Sequence, residues 1–263
     1  MSTTQVVPVN YWPDTACAKA FWGQHELPAY RRLLADTTAW LDPQPFERWI
    51  DLGCGGGQLT RALWEKSNGT LAEIVALDCA AANERAIRKL RGTMNPPAAT
   101  GQVRFLHADF SSGLADCPDD HFDGAVSGLA IQYAEFFCPV RRRWTRDAYD
   151  QLLHDVYRVL RPGGGFVFSV NVPEPSWLRV ALSGVRGILR SAHPLNYLKN
   201  ACRMWTYGGW LKRQARAGRF HYLSAETVRE QLIDAGFERV EHRLSFSRQA
   251  YVLRCYKPAV HLL

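Results

Sequence analysis

Apolar residues along this chain fall into two patterns. Short, nearly continuous runs occur at Trp49-Ile50, Ile74-Val75-Ala76-Leu77, Val103 to His107, Phe122 to Ser127 and Phe166 to Val170, each bounded by polar or turn residues. Runs of this length predict strands buried on both faces, as in a parallel sheet. Between them lie stretches in which apolar positions recur every three or four residues. Gln58 to Lys66 and Ala81 to Arg91 read this way, and so does Arg146 to Leu160, with apolar residues at 149, 152, 153, 156, 159 and 160. That period predicts amphipathic helices covering the sheet. Ser224 to Ala235 predicts a further helix with both ends marked, by a serine cap and by Gly236. Arg158 to Gly165 closes a helix before the fifth strand, and two final strands near 238–246 and 249–256 flank a short polar turn. Strands alternating with helices predict an α/β fold. Ahead of them, a helical pattern through Leu33, Leu34 and Trp40 stops at Asp42-Pro43-Gln44-Pro45.

The junction after the first strand carries the most chemistry. Asp51-Leu52-Gly53-Cys54-Gly55-Gly56-Gly57 runs from a strand end into a helix start, with glycine at alternate positions. Such a turn brings a ligand against bare backbone and aims helix N-terminal amides at it. A dinucleotide fingerprint requires a third glycine where Gln58 stands, and a phosphate-binding Walker loop requires a Gly-Lys-Ser/Thr that does not follow. What remains is D-x-G-x-G-x-G. Further carboxylates follow in order at Asp78 and Asp109, and with Asp51 and Ser127 they stand at predicted strand ends, where a doubly wound sheet binds its ligand. Acidic groups there suit a cationic ligand with a diol and an amine, and they would repel a pyrophosphate.

With these landmarks the chain resembles the class I S-adenosylmethionine-dependent methyltransferases over residues 46–170 and the C-terminal hairpin. The run Ser127 to Tyr133, with Leu160 to Gly165 and Phe168-Ser169-Val170, resembles the small-molecule branch, which includes quinone methylators and the enzyme that esterifies malonyl groups on acyl carrier protein. The resemblance implies a Rossmann-like, doubly wound, seven-stranded, mostly parallel sheet of order 3-2-1-4-5-7-6, with an antiparallel C-terminal hairpin and a helical lid. It implies S-adenosylmethionine as cofactor and S-adenosylhomocysteine as product. Asp78 would take the ribose hydroxyls, Asp109 the adenine amine and the amide of Phe110 a ring nitrogen. The cofactor set is Asp51, Gly53, Cys54, Gly55, Gly57, Asp78, Cys79, Asp109, Phe110, Ser127, Gly128 and Gln132. Ser127-Gly128-Leu129 stands where a metal-dependent branch carries acidic ligands, so no metal is expected. The Asn/Asp-Pro-Pro-Tyr/Phe motif of nucleic-acid N-methylating relatives is absent from that position.

Four segments follow: an N-terminal helical cap (1–45), a cofactor-binding core (46–170), an inserted lid (171–222) and the C-terminal part of the core (223–263). In the cap, Tyr11 or Trp12 would either close on the sulfonium through cation–π attraction or pack as peripheral aromatics. Charge singles out the lid. Between Pro175 and Ala225 stand Arg179, Arg186, Arg190, Lys199, Arg203, Lys212, Arg213, Arg216 and Arg219 with no acidic residue, against a net charge of +7 for the whole chain. Trp177, Tyr197, Trp205, Tyr207, Trp210, Phe220 and Tyr222 are interleaved with them. The segment would recognise an anionic small molecule or an acidic carrier protein, rest on an anionic membrane surface, bind RNA, or be a solvated basic face. RNA is the least supported, since no RNA-binding module is appended and the charge is modest for a nucleic-acid footprint.

Seven cysteines without a C-x-x-C read as reduced thiols, and neither a signal peptide nor a membrane span is evident, so the expected location is the cytoplasm. The expected activity is methyl transfer to O, N or C of a small apolar or anionic acceptor. A non-catalytic cofactor binder docked to a partner or membrane is the alternative, and an RNA methyltransferase a lesser one. A general base is needed only for a protonated, weakly acidic acceptor. Tyr133, Glu135, His25, His154, His193 and His221 are candidates by residue type alone, and the catalytic residue is left unassigned.

Overall fold

The computed structural model describes Trp12 and residues 27–176, 179–180 and 208–259. Its strands are β1 (Arg48–Leu52), β2 (Glu73–Asp78), β3 (Val103–His107), β4 (Phe122–Gly128), β5 (Phe136–Cys138), β6 (Arg143–Thr145), β7 (Leu160–Asn171), β8 (Glu238–Ser245) and β9 (Ala250–Tyr256). Seven of them form one sheet in the order β3-β2-β1-β4-β7-β9-β8. Pairings from β3 across to β7 are parallel, and those of β9 with β7 and β8 are antiparallel. Counted without the separate β5–β6 ribbon, this is the expected 3-2-1-4-5-7-6 order with its antiparallel edge. Among the described residues no helix is long and apolar enough to cross a membrane.

Alternation along the strands divides the interior into two layers. Ile50, Leu52, Phe166 and Phe168 face a layer closed by helices α4 (Asp147–Val159) and α5 (Ala225–Asp234), through Leu152, Val156, Val228 and Leu232. Trp49, Ile74, Val126 and Val167 face the other, closed by α1 (Pro28–Thr38), α2 (Gln58–Lys66) and α3 (Ala82–Arg91), through Leu33, Leu63 and Ile87. The order reverses between β1 and β4, which opens a crevice at their C-terminal ends.

Three local expectations are corrected. Strand five begins at Leu160, not Phe166, because α4 ends at Val159 and the glycine run continues as strand through a register shift opposite Phe122 and Gly124. Phe246, expected to end the first of the last two strands, instead opens the turn between them, fully buried and packed edge-on against Tyr30. The β5–β6 ribbon was not foreseen.

Candidate functional site

Beyond β1 the chain turns through Gly53 and Gly55, both at positive φ, and enters α2. A Cβ on Gly53 would lie 2.3 Å from that of Ala130, so the turn and the loop after β4 touch; a Cβ on Gly55 would meet nothing within 4 Å. A cavity of about 230 Å³ opens there. Asp51, Gly53, Cys54, Gly55, Asp78, Cys79, Asp109, Phe110 and Gly128 of the expected cofactor set line it. The other three do not. Gly57 packs against Ile87 and Leu90 of α3. The Ser127 hydroxyl donates to the Leu52 carbonyl at 2.7 Å, which fastens β4 to β1. Gln132 is fully buried, donating to the Leu129 carbonyl and accepting from the Asn171 amide. The Ser127 side chain is thus consumed in joining two strands and that of Gln132 in holding the loop after β4.

The three carboxylates are placed by different means. Asp51 accepts from the Thr60 hydroxyl at 2.6 Å through one oxygen, while its buried Oδ1 has no hydrogen-bond partner among the described residues. Burial chiefly pushes its carboxyl up to about 7; the Thr60 hydrogen bonds oppose this and the nearby Asp78 adds to it. Asp78 accepts from the amides of Gly55 (2.9 Å) and Ala80 (2.8 Å), one through each oxygen. The Asn83 side chain also hydrogen-bonds this carboxylate, which still keeps part of its acceptor capacity for a ligand. Burial raises Asp78, and the amide hydrogen bonds counter it. Asp109 accepts from the Ser111 amide at 2.8 Å and starts the short 3-10 turn of Phe110. The thiols of Cys54 and Cys79 are raised by burial and by neighbouring carboxylates, so they stay protonated and inert.

The opposite wall comprises Trp12, Tyr30, Leu33, Leu34, Thr37, Leu129 and Tyr133. Neither lysine nor arginine lines the cavity among the described residues. Trp12 packs against Tyr133 with the rings tilted, 4.5 Å between centroids, and lies 5.8 Å from Phe220, so it both packs and faces the cavity. Tyr133 and Tyr222 share a hydrogen bond of 3.2 Å between hydroxyls. Tyr30 and Tyr222 are raised by burial, so both phenols remain protonated. Leu129 adopts positive φ and gives its amide to Ser169.

Sequence reasoning offered further polar candidates, and the structure sorts them. Glu135 is buried against Arg219, which donates to it through Nε and through Nη2, the latter at 3.1 Å. The His221 Nε2 hydrogen-bonds the Ala134 carbonyl, and burial lowers its pKa to about 4, so it is neutral and structural. His154 is an exposed residue of α4. His25, His193 and Tyr11 lie outside the described residues, as do Arg186, Arg190, Lys199 and Arg203 of the basic segment. Of its described cations, Lys212 and Arg216 pair with Glu174 and Arg219 with Glu135.

The family described as "Methyltransferase domain" matches residues 50–168. The biotin biosynthesis bifunctional protein BioHC of Teredinibacter turnerae is 31% identical over 128 residues, 48% of this chain but only 20% of that protein. The ubiquinone/menaquinone biosynthesis C-methyltransferase UbiE of Ectopseudomonas mendocina is 26% identical over 210 residues, 76% of this chain and 68% of that one. An S-adenosylmethionine-dependent methyltransferase of Mesorhizobium loti superposes with a TM-score of 0.53 at 22% identity, covering 85% of this chain and 96% of that one.

Proposed function

We propose that this chain, which belongs to the class I S-adenosylmethionine-dependent methyltransferase family, moves a methyl group from that cofactor to a small, apolar, ring-bearing acceptor. The observation that carries the reading is a two-sided cavity, with Asp51, Asp78 and Asp109 on one wall and Trp12, Tyr30, Leu33, Leu34 and Tyr133 on the other. The acidic wall fits the cofactor. Asp51 has a buried oxygen in want of a donor, which suits an ammonium; the spare acceptor sites of Asp78 suit a ribose diol; Asp109 suits an exocyclic amine. The open space at Gly55 lets a ligand approach the main chain. The cofactor, when bound, supplies a methyl group that is already electrophilic, so the protein's own contribution is to orient an acceptor and exclude water.

The aromatic wall does that orienting. Trp12 and Tyr133 offer flat apolar faces, and the Tyr133–Tyr222 hydroxyl pair offers a neutral hydrogen bond. Asn171 stands two residues beyond the cavity-lining Ser169 on the same face of β7, fully buried, with neither Nδ2 nor Oδ1 in a hydrogen bond. It lies near enough to Tyr222 to temper the rise of that phenol without reaching hydrogen-bond geometry. A cavity wall without cations among the described residues, and a basic segment in which Lys212, Arg216 and Arg219 are taken up by Glu174 and Glu135, favour an apolar acceptor over an anionic or carrier-bound one. We read residues 171–222 as a lid whose returning end, Arg219 to Tyr222, is clamped to the loop after β4. The free cysteines 54, 79, 117, 138 and 255 support a reducing location such as the cytoplasm.

Thermal unfolding tests the cofactor assignment: S-adenosylhomocysteine should raise the melting temperature and NAD should not. Asp78→Ala should weaken binding by roughly tenfold to a hundredfold, as loss of hydrogen bonds to a charged acceptor does, while the chain stays folded. Stabilisation by NAD alone would overturn the reading. Methyl-labelled S-adenosylmethionine with fractionated apolar extract should yield a labelled product, and its absence from every fraction would remove the acceptor half of the proposal.

A further inference from the structure

Three residues after Tyr133 leaves the cavity wall, the chain forms the β5–β6 ribbon, whose apex is Pro139-Val140-Arg141-Arg142. Val140 is 92% exposed and Phe136 44% exposed, although both are large apolar residues that a folded surface normally leaves uncovered only singly. Arg141, Arg142 and Arg143 are exposed beside them, and none has a carboxylate partner among the described residues. The arginines that follow in the chain are paired: Arg146 with Asp150, Arg158 with Asp119 and Asp155, and Arg161 with Asp123. The ribbon follows the C-terminal end of β4, so it stands on the cavity's rim. Among the described residues the other strongly exposed aromatic, Phe46, precedes β1 and so lies at the N-terminal edge of the sheet, away from the cavity.

We propose that this ribbon docks the protein on an anionic lipid surface, with Arg141–Arg143 on the headgroup phosphates and Val140 and Phe136 in the interfacial layer. An apolar apex flanked by arginines matches a boundary that is anionic outside and apolar beneath, and arginine forms paired hydrogen bonds to phosphate oxygens. RNA fits the ribbon less well. Base stacking needs open ring faces, whereas Phe137 packs edge-on against Trp144 at 5.3 Å and Arg219 lies over Trp144 at 4.6 Å. The inference needs no acceptor and holds or fails independently of the methyltransferase reading.

Co-sedimentation of the full chain with vesicles tests it. Phosphatidylcholine vesicles containing about one third phosphatidylglycerol should bind it and pure phosphatidylcholine should not, with salt weakening the contact. Replacing Arg141, Arg142 and Arg143 together by Gln should cost on the order of a hundredfold in partitioning. Val140→Ser should cost roughly threefold to tenfold. Phe46→Ser, at the far edge of the sheet, should cost nothing. Because every altered side chain is exposed, far-ultraviolet circular dichroism should be unchanged throughout. Absence of binding to either vesicle, wild-type binding by the triple variant, or preference for an RNA oligomer or an acidic peptide over the anionic vesicle would overturn the proposal.

Discussion

Gly53 and Gly55 stand two positions apart in one turn and answer to different constraints. A methyl on Gly53 meets the Cβ of Ala130 at 2.3 Å in a left-handed backbone, so Gly53→Ala should cost about 2–5 kcal/mol, combining the αL penalty with overpacking. Gly55→Ala meets no atom within 4 Å and should cost only about 1–2 kcal/mol. Its methyl points into open space where a ligand would approach the backbone. Urea midpoints should therefore separate the two variants on stability, while S-adenosylhomocysteine titration shows Gly55→Ala losing far more affinity than its stability loss accounts for. Asp51 adds a pH signature. Its folded pKa of about 7 lies above the ordinary carboxylate value of 3.8, so between those values the folded chain holds a proton that the unfolded chain has released. Stability contributed by this residue is thus present at low pH and falls as pH rises towards 7. Asp51→Asn should flatten that slope in thermal melts, and a cationic ligand seated on the free oxygen should expel the proton, visible in calorimetry as buffer-dependent binding heat at pH 6. The alternating glycines and the strand-end acids were legible as a ligand cradle; the orphaned oxygen of Asp51 was not, because it depends on what Thr60 does nine residues away.

Between elements, the return of the segment proposed as a lid is held by several contacts, of which Arg219 with Glu135 is the ion pair. Arg219 and Glu135 are 10% and 4% exposed in their side chains, and the Arg219 guanidinium also lies over Trp144. Arg219→Ala should destabilise by about 3–5 kcal/mol, because it strands a carboxylate in a dry site, whereas Arg219→Met with Glu135→Leu should cost far less. Equal losses in denaturant melts of the two variants would refute that account. This pairing was invisible in the sequence, where Arg219 read as one basic residue among nine and Glu135 as a candidate base; the partners lie 84 positions apart. Elements with local signals fared better. The helix over Ala225–Asp234 begins at its Ser224 cap, which accepts from the Thr227 amide at 3.1 Å, and Val103 to His107 is a strand as its apolar run requires. The β5–β6 ribbon escaped because each arm has three residues, too few to establish an alternating pattern. The start of β7 was placed too late for a related reason, since Arg161-Pro162-Gly163-Gly164-Gly165 carries turn chemistry and joins the strand only through its sheet partners.

At the scale of the whole molecule, one sheet serves two cores that share strands but not side chains. Leu63 of α2 and Leu152 of α4 are both fully buried, on opposite faces. That division follows from strand alternation and helical period, which is why the fold was readable from local pattern while the aromatic wall of the cavity was not. The wall is assembled from Trp12, α1 and the loop after β4, segments with no shared motif. Because the two leucines have no common contacts, Leu63→Ala and Leu152→Ala should each cost about 2–5 kcal/mol and their effects should add within about 0.5 kcal/mol. The sheet between them is continuous, so each single variant should still unfold in one transition, followed identically by tryptophan fluorescence and circular dichroism. Saturating S-adenosylhomocysteine discriminates further. Leu63 packs in the layer that contains the cavity-lining Leu59 and Leu129, whereas Leu152 does not. Ligand-linked stabilisation depends on affinity alone, so Leu152→Ala should gain the same increment as the unaltered chain and Leu63→Ala a smaller one. Equal increments in both would show that the cavity is insulated from the core beneath it.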